Sequence, residues 1–374
     1  MKKTIYKYFF YEFLRYFTIT LFALAAVVWA IQTVNYLDLV SEDGHAFLVY
    51  FAYSFLTLSK VITKIMPFCF LIAMVLTISK LEKDNELMVL WTSGLNKIHI
   101  VNFLFHISLI MMLVQLLFTT AINPQLLYFS RMLLKNSELQ FIPSLLKERQ
   151  FNDTIEGLTI FVDKKDDNQI YHNIFIRDDN QILSEIGNVS STIFAKSGYI
   201  NKDEKNLILY EGNIQRVEID GTIDIIKFKK TTLNLSGIST KSISEPKMQE
   251  TSTIEILLCI KNKNINIHNC SLDKKSLMDT KIEFNKRFGT PIYIPLISLL
   301  CSFLLTSRKD EKIYNYKKYI YFFIGVIILS FAEIIVRYSG ISWTHTAFYY
   351  LLPAVMAPLF YFTLTRTFKY ENLS

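Results

Sequence analysis

The chain carries six runs of about twenty residues that are nearly free of charge. Each is long enough to cross a bilayer as an α-helix, so a membrane bundle is the first expectation. The spans read as about Tyr16 to Leu37, a second ending at Lys80, about Ile98 to Ile122, then about Phe288 to Thr306, Tyr319 to Val336 and Ala347 to Leu364. Asn123-Pro124 is expected to stop the third. Ahead of the first, Ile5, Phe9 and Phe13 recur every four residues in the lysine-dotted stretch Lys2–Arg15, the pattern of an interfacial helix. The first span is too long for a cleavable signal peptide, and no small-residue cleavage site follows it. Composition agrees with a membrane protein: half of the 374 residues are hydrophobic, with 30 Phe and 21 Tyr.

Charge placement orients the spans. Lys2, Lys3, Lys7 and Arg15 precede the first. Lys80, Lys83 and Lys97 join the second to the third. Arg308, Lys309, Lys312, Lys317 and Lys318 join the fourth to the fifth, and Arg366 and Lys369 follow the sixth. The opposite connections, Asp38–Val49 and Tyr338–Thr346, contain no Lys or Arg. The positive-inside rule puts both termini in the cytoplasm and the middle of the chain outside. The net charge of +7 therefore reflects topology. A solvated basic face with interleaved aromatics is missing, which argues against nucleic acid as a partner.

From about Gln125 to Lys286 the pattern changes to short segments of alternating polarity: Leu158–Val162, Tyr171–Arg177, Thr192–Ala195, Leu207–Tyr210, Ile214–Ile219 and Ile223–Phe228. Turn clusters separate them, at Asp166-Asp167-Asn168, Asp178-Asp179-Asn180 and Glu211-Gly212-Asn213, and Asp220-Gly221 is a two-residue hairpin signal. These predict a β-sandwich or jelly roll, with helical connectors at Arg131–Lys147 and Ser252–Ile260. The expected organisation is residues 1–124 as an N-terminal membrane half, 125–286 as a periplasmic β domain and 287–374 as a C-terminal membrane half.

No catalytic set emerges. A phosphate-binding G-x-x-x-x-G-K-[ST] loop, H-E-x-x-H, G-x-S-x-G and zinc-spaced Cys/His groups are all missing, so neither ATP hydrolysis, a metal nor a cofactor is expected of this chain. His172 and His268 read as isolated surface or turn residues, and the loop aspartates lack calcium-binding spacing. Cys259 and Cys270 could pair outside the cytoplasm, but one pair without a spacing motif does not argue for a bridge.

Three spans, an external β domain and three more spans resemble the LptF/LptG permease family, the paired membrane subunits of the lipopolysaccharide exporter. The resemblance covers nearly the whole chain. Its most specific element is KLEKDNELMVLWTSG, Lys80 to Gly94, which is similar to the family's coupling helix. Pro67 with Lys60 seven residues before it, Asn123-Pro124-Gln125 leading to Arg131, and Glu283-x-x-x-Arg287-x-x-x-Pro291 add to it. The Lys60 position leans towards the G-like member and the start of the fourth span towards the F-like one, so the likeness is to the family.

The resemblance implies a heterodimer with a homologous LptF/LptG-type subunit, driven by a cytoplasmic LptB-type ATPase dimer. It implies extraction of lipopolysaccharide from the outer leaflet of the inner membrane, and transfer through a periplasmic jelly roll to an LptC/LptA-type bridge. The competing classes are another lipid- or lipoprotein-release permease and a membrane sensor. The first usually has four spans, and the second needs a cytoplasmic output domain for which no stretch here is long enough.

Within the coupling segment, Leu87, Leu90 and Trp91 follow an i, i+3, i+4 pattern that gives a short helix an apolar face. Asp84 and Glu86 suit its start and Gly94 its C-cap. A docked ATPase would account for Trp91 on a cytoplasmic loop; anchoring the loop to the interface is the simpler alternative.

Lys60 precedes Lys80 by about 30 Å of helix, near the hydrocarbon thickness, and Lys64 lies one turn deeper on the same face. Both are candidates for lipid-headgroup contact, with snorkelling as the alternative. Arg131 and Lys135, one turn apart beyond the third span, are candidates on the same grounds. Glu333 and Arg337 form an i, i+4 pair that either neutralises itself or serves the lateral gate, which the family builds from its first and fifth spans.

Overall fold

A computed structural model of the protein describes residues 2–41, 46–146, 148–155, 157–166, 170–179, 190–201, 206–217, 222–234, 247–261, 270, 274–306 and 314–371. Helix α1 (Lys2–Asn35) joins the lysine-dotted arm and the first span into one helix, because nothing between them breaks the backbone ladder. A short α2 (Asp38–Ser41) follows, then α3 (Phe47–Lys83), α4 (Glu86–Thr92) and α5 (Lys97–Leu117). Asn123-Pro124 does not end the third span. A π-helical turn (Phe118–Ile122) absorbs the proline, and the chain continues as α6 (Asn123–Leu145). The remaining helices are α7 (Thr253–Ile260), α8 (Lys274–Ser302), α9 (Tyr314–Tyr338) and α10 (Trp343–Glu371). Ser252 and Glu255 close a capping box at the start of α7.

Six helical spans are long and apolar enough to cross a membrane, so this is a multi-pass membrane protein with an antiparallel β domain inserted between its halves. The described residues divide into two compact units.

The first unit takes in residues 1–31, 57–128 and 247–374. The apolar stretches of α3 and α8 are 67% and 78% buried, against 11% for α1, 22% for α9 and 17% for α10. Two central helices are therefore wrapped by helices whose outer faces are left for lipid or another protein. Phe9, Phe13 and Phe17 of α1 pack with Phe70, Met74 and Ile78 of α3, Leu104 of α5 and Ile297 and Leu300 of α8 in one core. Gly289 lets α8 and α10 close together, since a Cβ there would lie 2.0 Å from the Tyr349 ring.

The second unit takes in residues 32–56 and 129–246. Its strands, β1 (Asn152–Ile155), β2 (Leu158–Lys165), β3 (Ile170–Asp178), β4 (Ser191–Asn201), β5 (Asn206–Val217) and β6 (Ile223–Asn234), hydrogen-bond in sequence order as one antiparallel sheet. Period-two alternation buries Leu158, Ile160 and Val162, and the register stacks Ile160 beside Ile176 and Ile176 beside Ile193.

The expected turn at Glu211-Gly212-Asn213 is a kink inside β5. Glu211 takes φ 47° while pairing continues on both sides, Tyr210 with Ser197 and Gly212 with Ala195. The Lys196 ammonium lies 2.8 Å from the Glu211 carboxylate on the exposed face and holds that carboxyl below the ordinary carboxylate range. Asp220-Gly221, Asn168, Asn180 and His268 lie outside the described residues. His172 bonds Asp166 at 2.9 Å as a surface residue.

Candidate functional site

Proline shapes the polar heart of the helical unit. A proline inside a helix has no N–H for the carbonyl four residues back, and in a membrane no water replaces it. Pro67 frees the Thr63 carbonyl, which accepts from Gln115 Nε2 at 3.4 Å. Pro291 frees the Arg287 carbonyl, which accepts from Thr119 Oγ1 at 2.9 Å. Pro353 frees the Tyr349 carbonyl, which accepts from Tyr293 Oη at 2.8 Å. Behind Pro124, the Thr120 carbonyl accepts from Thr253 Oγ1 at 2.6 Å. In each of these four cases the donor comes from a different segment, so the break in the backbone ladder becomes a cross-link between segments.

Four of those residues, Thr63, Gln115, Thr119 and Arg287, line a cavity of about 90 Å³ together with Lys60, Lys64, Asn123, Leu127, Gln249, Glu283, Lys286, Thr290 and Glu333. Only Leu127 is apolar. Asn123 Nδ2 donates to Thr63 Oγ1 at 2.8 Å, which fixes the helical run beyond the π turn against α3.

Four cations face two carboxylates in this lining. Arg287 Nε bonds Glu283 at 3.1 Å, and Lys286 lies 3.8 Å from Glu333. Lys60 and Lys64 keep exposed side chains and make no direct ion pair among the described residues, although the Glu283 carboxylate is near enough to attract Lys60. The site thus carries two uncompensated positive charges among neutral donors, an arrangement suited to phosphate or carboxylate.

The structure brings Lys60, Lys64 and Glu333 into one lining. Glu333 faces Lys286 rather than Arg337, whose side chain is exposed. The i, i+4 pairing considered for Glu333 and Arg337 gives way because Lys286 on α8 offers a partner across the cavity. Arg131 and Lys135 fall in the second unit, Arg131 half-buried and Lys135 exposed. Sequence reasoning missed Gln115, Thr119, Lys286 and Thr290 as lining residues. A signal was present: Gln115, Thr119 and Asn123 recur every four residues in a mostly apolar run, and Glu283, Lys286, Arg287 and Thr290 share one face of α8.

The segment around α4 forms a second candidate surface. Asn85 at φ 57° and Gly94 at φ 80° bracket the helix, the glycine taking the left-handed C-terminal position its type allows. Leu87 is 1% exposed, and Leu90 and Trp91 pack half-buried against the chain's own core. The apolar face formed by these three is consumed internally. Lys97 Nζ sits 5.6 Å from the Trp91 ring and 5.6 Å from Phe368, which ties Trp91 further inward. Met88 and Val89, 53% and 63% exposed, face outward instead, with Asp84 exposed nearby. Glu86 accepts a hydrogen bond from Tyr8 Oη at 2.9 Å, and Glu12 pairs with Lys80 at 2.8 Å.

Cys259 and Cys270 form a disulfide, contrary to the sequence expectation; the pairing depends on three-dimensional proximity, which spacing alone does not reveal. Cys69 and Cys301 are free and buried.

A family model described as lipopolysaccharide export system permease LptF/LptG matches residues 7–368. The chain is also 26% identical over 235 residues to a protein of Rickettsia prowazekii (strain Madrid E) described as uncharacterized protein RP871. That match covers 62% of this chain and 64% of the relative, so the chain spans somewhat less than two thirds of the relative's length.

Proposed function

This chain belongs to the lipopolysaccharide export system permease family LptF/LptG, and on that premise we propose that its charged cavity receives the anionic headgroup of lipopolysaccharide from the outer leaflet of the inner membrane. The observation that carries the reading is the excess of charge in the lining, where Lys60 and Lys64 make no ion pair among the described residues while Glu283 and Glu333 are each taken by another cation. Phosphate offers several acceptor sites, and two ammonium groups meet them in a region of reduced water. Glu333, held by Lys286, closes one side of that cavity from α9. Arg131 and Lys135 contribute further cations along the lipid's route.

Both termini are cytoplasmic and residues 125–286 are periplasmic in this reading. The basic connections support it, and so does the Cys259–Cys270 disulfide, since such bonds persist in oxidising compartments. The exposed strand β6, with Ile223 and Ile225 facing solvent, suits pairing with a periplasmic bridge. The energy comes from a separate ATPase dimer that docks on the segment from Leu81 to Gly94, and a homologous permease subunit covers the little-buried faces of α1 and α9.

The test is transport by the reconstituted complex, with a photo-crosslinker placed at position 60. Lys60→Glu is expected to impair lipid extraction more than Lys60→Ala, because repulsion is added to lost attraction, while complex yield stays constant. Wild-type transport by Lys60→Glu, together with no lipid crosslink at position 60, would reduce Lys60 to a snorkelling anchor.

A further inference from the structure

Arg287 lines the cavity, yet its side chain is already engaged. The residue is 2% exposed. Nη1 donates to Thr253 Oγ1 at 2.8 Å, and Nη2 donates to the carbonyls of Thr251 at 2.9 Å and Gln249 at 3.2 Å, while Nε holds Glu283. Thr253 passes the connection on by donating to the Thr120 carbonyl. The Arg287 backbone is held as well, through Thr119. All of these partners belong to the helical unit. A guanidinium reaches several acceptors at once because its donors are fixed in a planar fork, and a lysine ammonium cannot reproduce that spread.

We propose that Arg287 is a positioning residue, a clasp that fixes the segment Gln249–Thr253 against α8 and so makes Gln249 a wall of the cavity. It is not a ligand for the anionic group, which is left to Lys60 and Lys64. The inference rests on the reading of the cavity as a headgroup site. The clasped segment is the one by which the chain returns from the β domain to the fourth span. Holding it still gives a departing lipid a fixed surface on that side. Loss of the clasp therefore slows passage without weakening capture.

The experiment uses the whole reconstituted complex with lipopolysaccharide as probe, comparing wild type with Arg287→Lys, Arg287→Gln, Thr253→Val and Thr253→Ser. Three quantities are read: maximal transport rate, lipid concentration for half-maximal crosslinking at position 60, and the rate of tryptic cleavage after the exposed Lys247. Both Arg287 variants are expected to lose about tenfold in maximal rate with an unchanged half-maximal concentration, and to be cleaved faster. Thr253→Val should shift in the same direction and Thr253→Ser should restore the wild-type values, which keeps the inference testable if the Arg287 variants fail to assemble. A half-maximal concentration that rises in step with the transport loss, while cleavage stays slow, would overturn the clasp and make Arg287 a ligand. Wild-type rates and cleavage in all variants would overturn it equally. The cleavage measurement needs no lipid: if wild type shows no crosslink at position 60, the headgroup reading falls while the clasp is still read directly.

Discussion

Thr119 places its hydroxyl 2.9 Å from the Arg287 carbonyl, the group that Pro291 leaves without its helical partner. The same hydroxyl lies 3.1 Å from its own Leu116 carbonyl, so the bond across to α8 is the shorter of two. Pro291 is tolerated inside α8 because the third span supplies the missing donor from the start of its own irregular turn.

Thr119→Val keeps the shape and removes the donor. An unsatisfied carbonyl in this setting costs about 1–3 kcal/mol. Thr119→Ser should retain most of the stability. Thermal unfolding of the purified protein in detergent checks this, and equal midpoints for Val and Ser variants would show that the Arg287 carbonyl finds another partner.

The coupling segment gives a second prediction. Glu86→Lys reverses a charge beside the proposed ATPase contact, and Tyr8→Phe leaves the charge in place but frees its orientation. Glu86→Lys should weaken co-purification of the ATPase strongly. Tyr8→Phe should weaken it by about 1 kcal/mol, the scale of one exposed hydrogen bond. Met88→Asp, on the outward face, should weaken it too, whereas Trp91→Phe should mainly lower stability because Trp91 packs inward. Binding measured with purified ATPase decides; undiminished assembly with Glu86→Lys removes Glu86 from the interface.

Topology can be read with fused reporters. A reporter active only outside the cytoplasm should work when inserted at Thr222 and stay silent at Asn315. The opposite pattern would place the β domain in the cytoplasm and remove the headgroup reading with it.

The disulfide predicts a labelling pattern. Denatured but unreduced protein should take up two maleimide-polyethylene glycol groups, on Cys69 and Cys301, and reduced protein four. Four labels before reduction would show that Cys259 and Cys270 are thiols in the cell.

Much of the architecture was legible because membrane spans announce themselves by length and apolarity, and β strands by alternation. What escaped depends on neighbours that are distant in sequence. Asn123-Pro124 looked like a stop, but a π turn and the hydroxyl of Thr253 carry the helix through it. Glu211-Gly212-Asn213 looked like a turn, yet Gly212 and Asn213 pair with both neighbouring strands, which keeps the segment inside β5. Leu87, Leu90 and Trp91 displayed an apolar face correctly, and the sequence was silent on whether that face turns inward or outward. Lys60 and Lys64 stood out as charges at membrane depth. Gln115 and Thr119 did not, because a neutral polar residue in an apolar run attracts notice only when its spacing is followed.

Helix α1 is gripped along one stretch and bare along the next. Tyr8 and Glu12 tie its N-terminal part to Glu86 and Lys80, Phe9, Phe13 and Phe17 lock into the core, and beyond them Phe22, Val27 and Ile31 face outward. From Phe17 to Ile31 an unbroken helix extends about 21 Å, at about 1.5 Å per residue. Two residues past Ile31, Thr33 is held again by Ser54 and Tyr50, so the bare stretch is supported at both ends. A helix carried in this way keeps its line through its own backbone hydrogen bonds, and its middle can stay with few packing partners inside the chain.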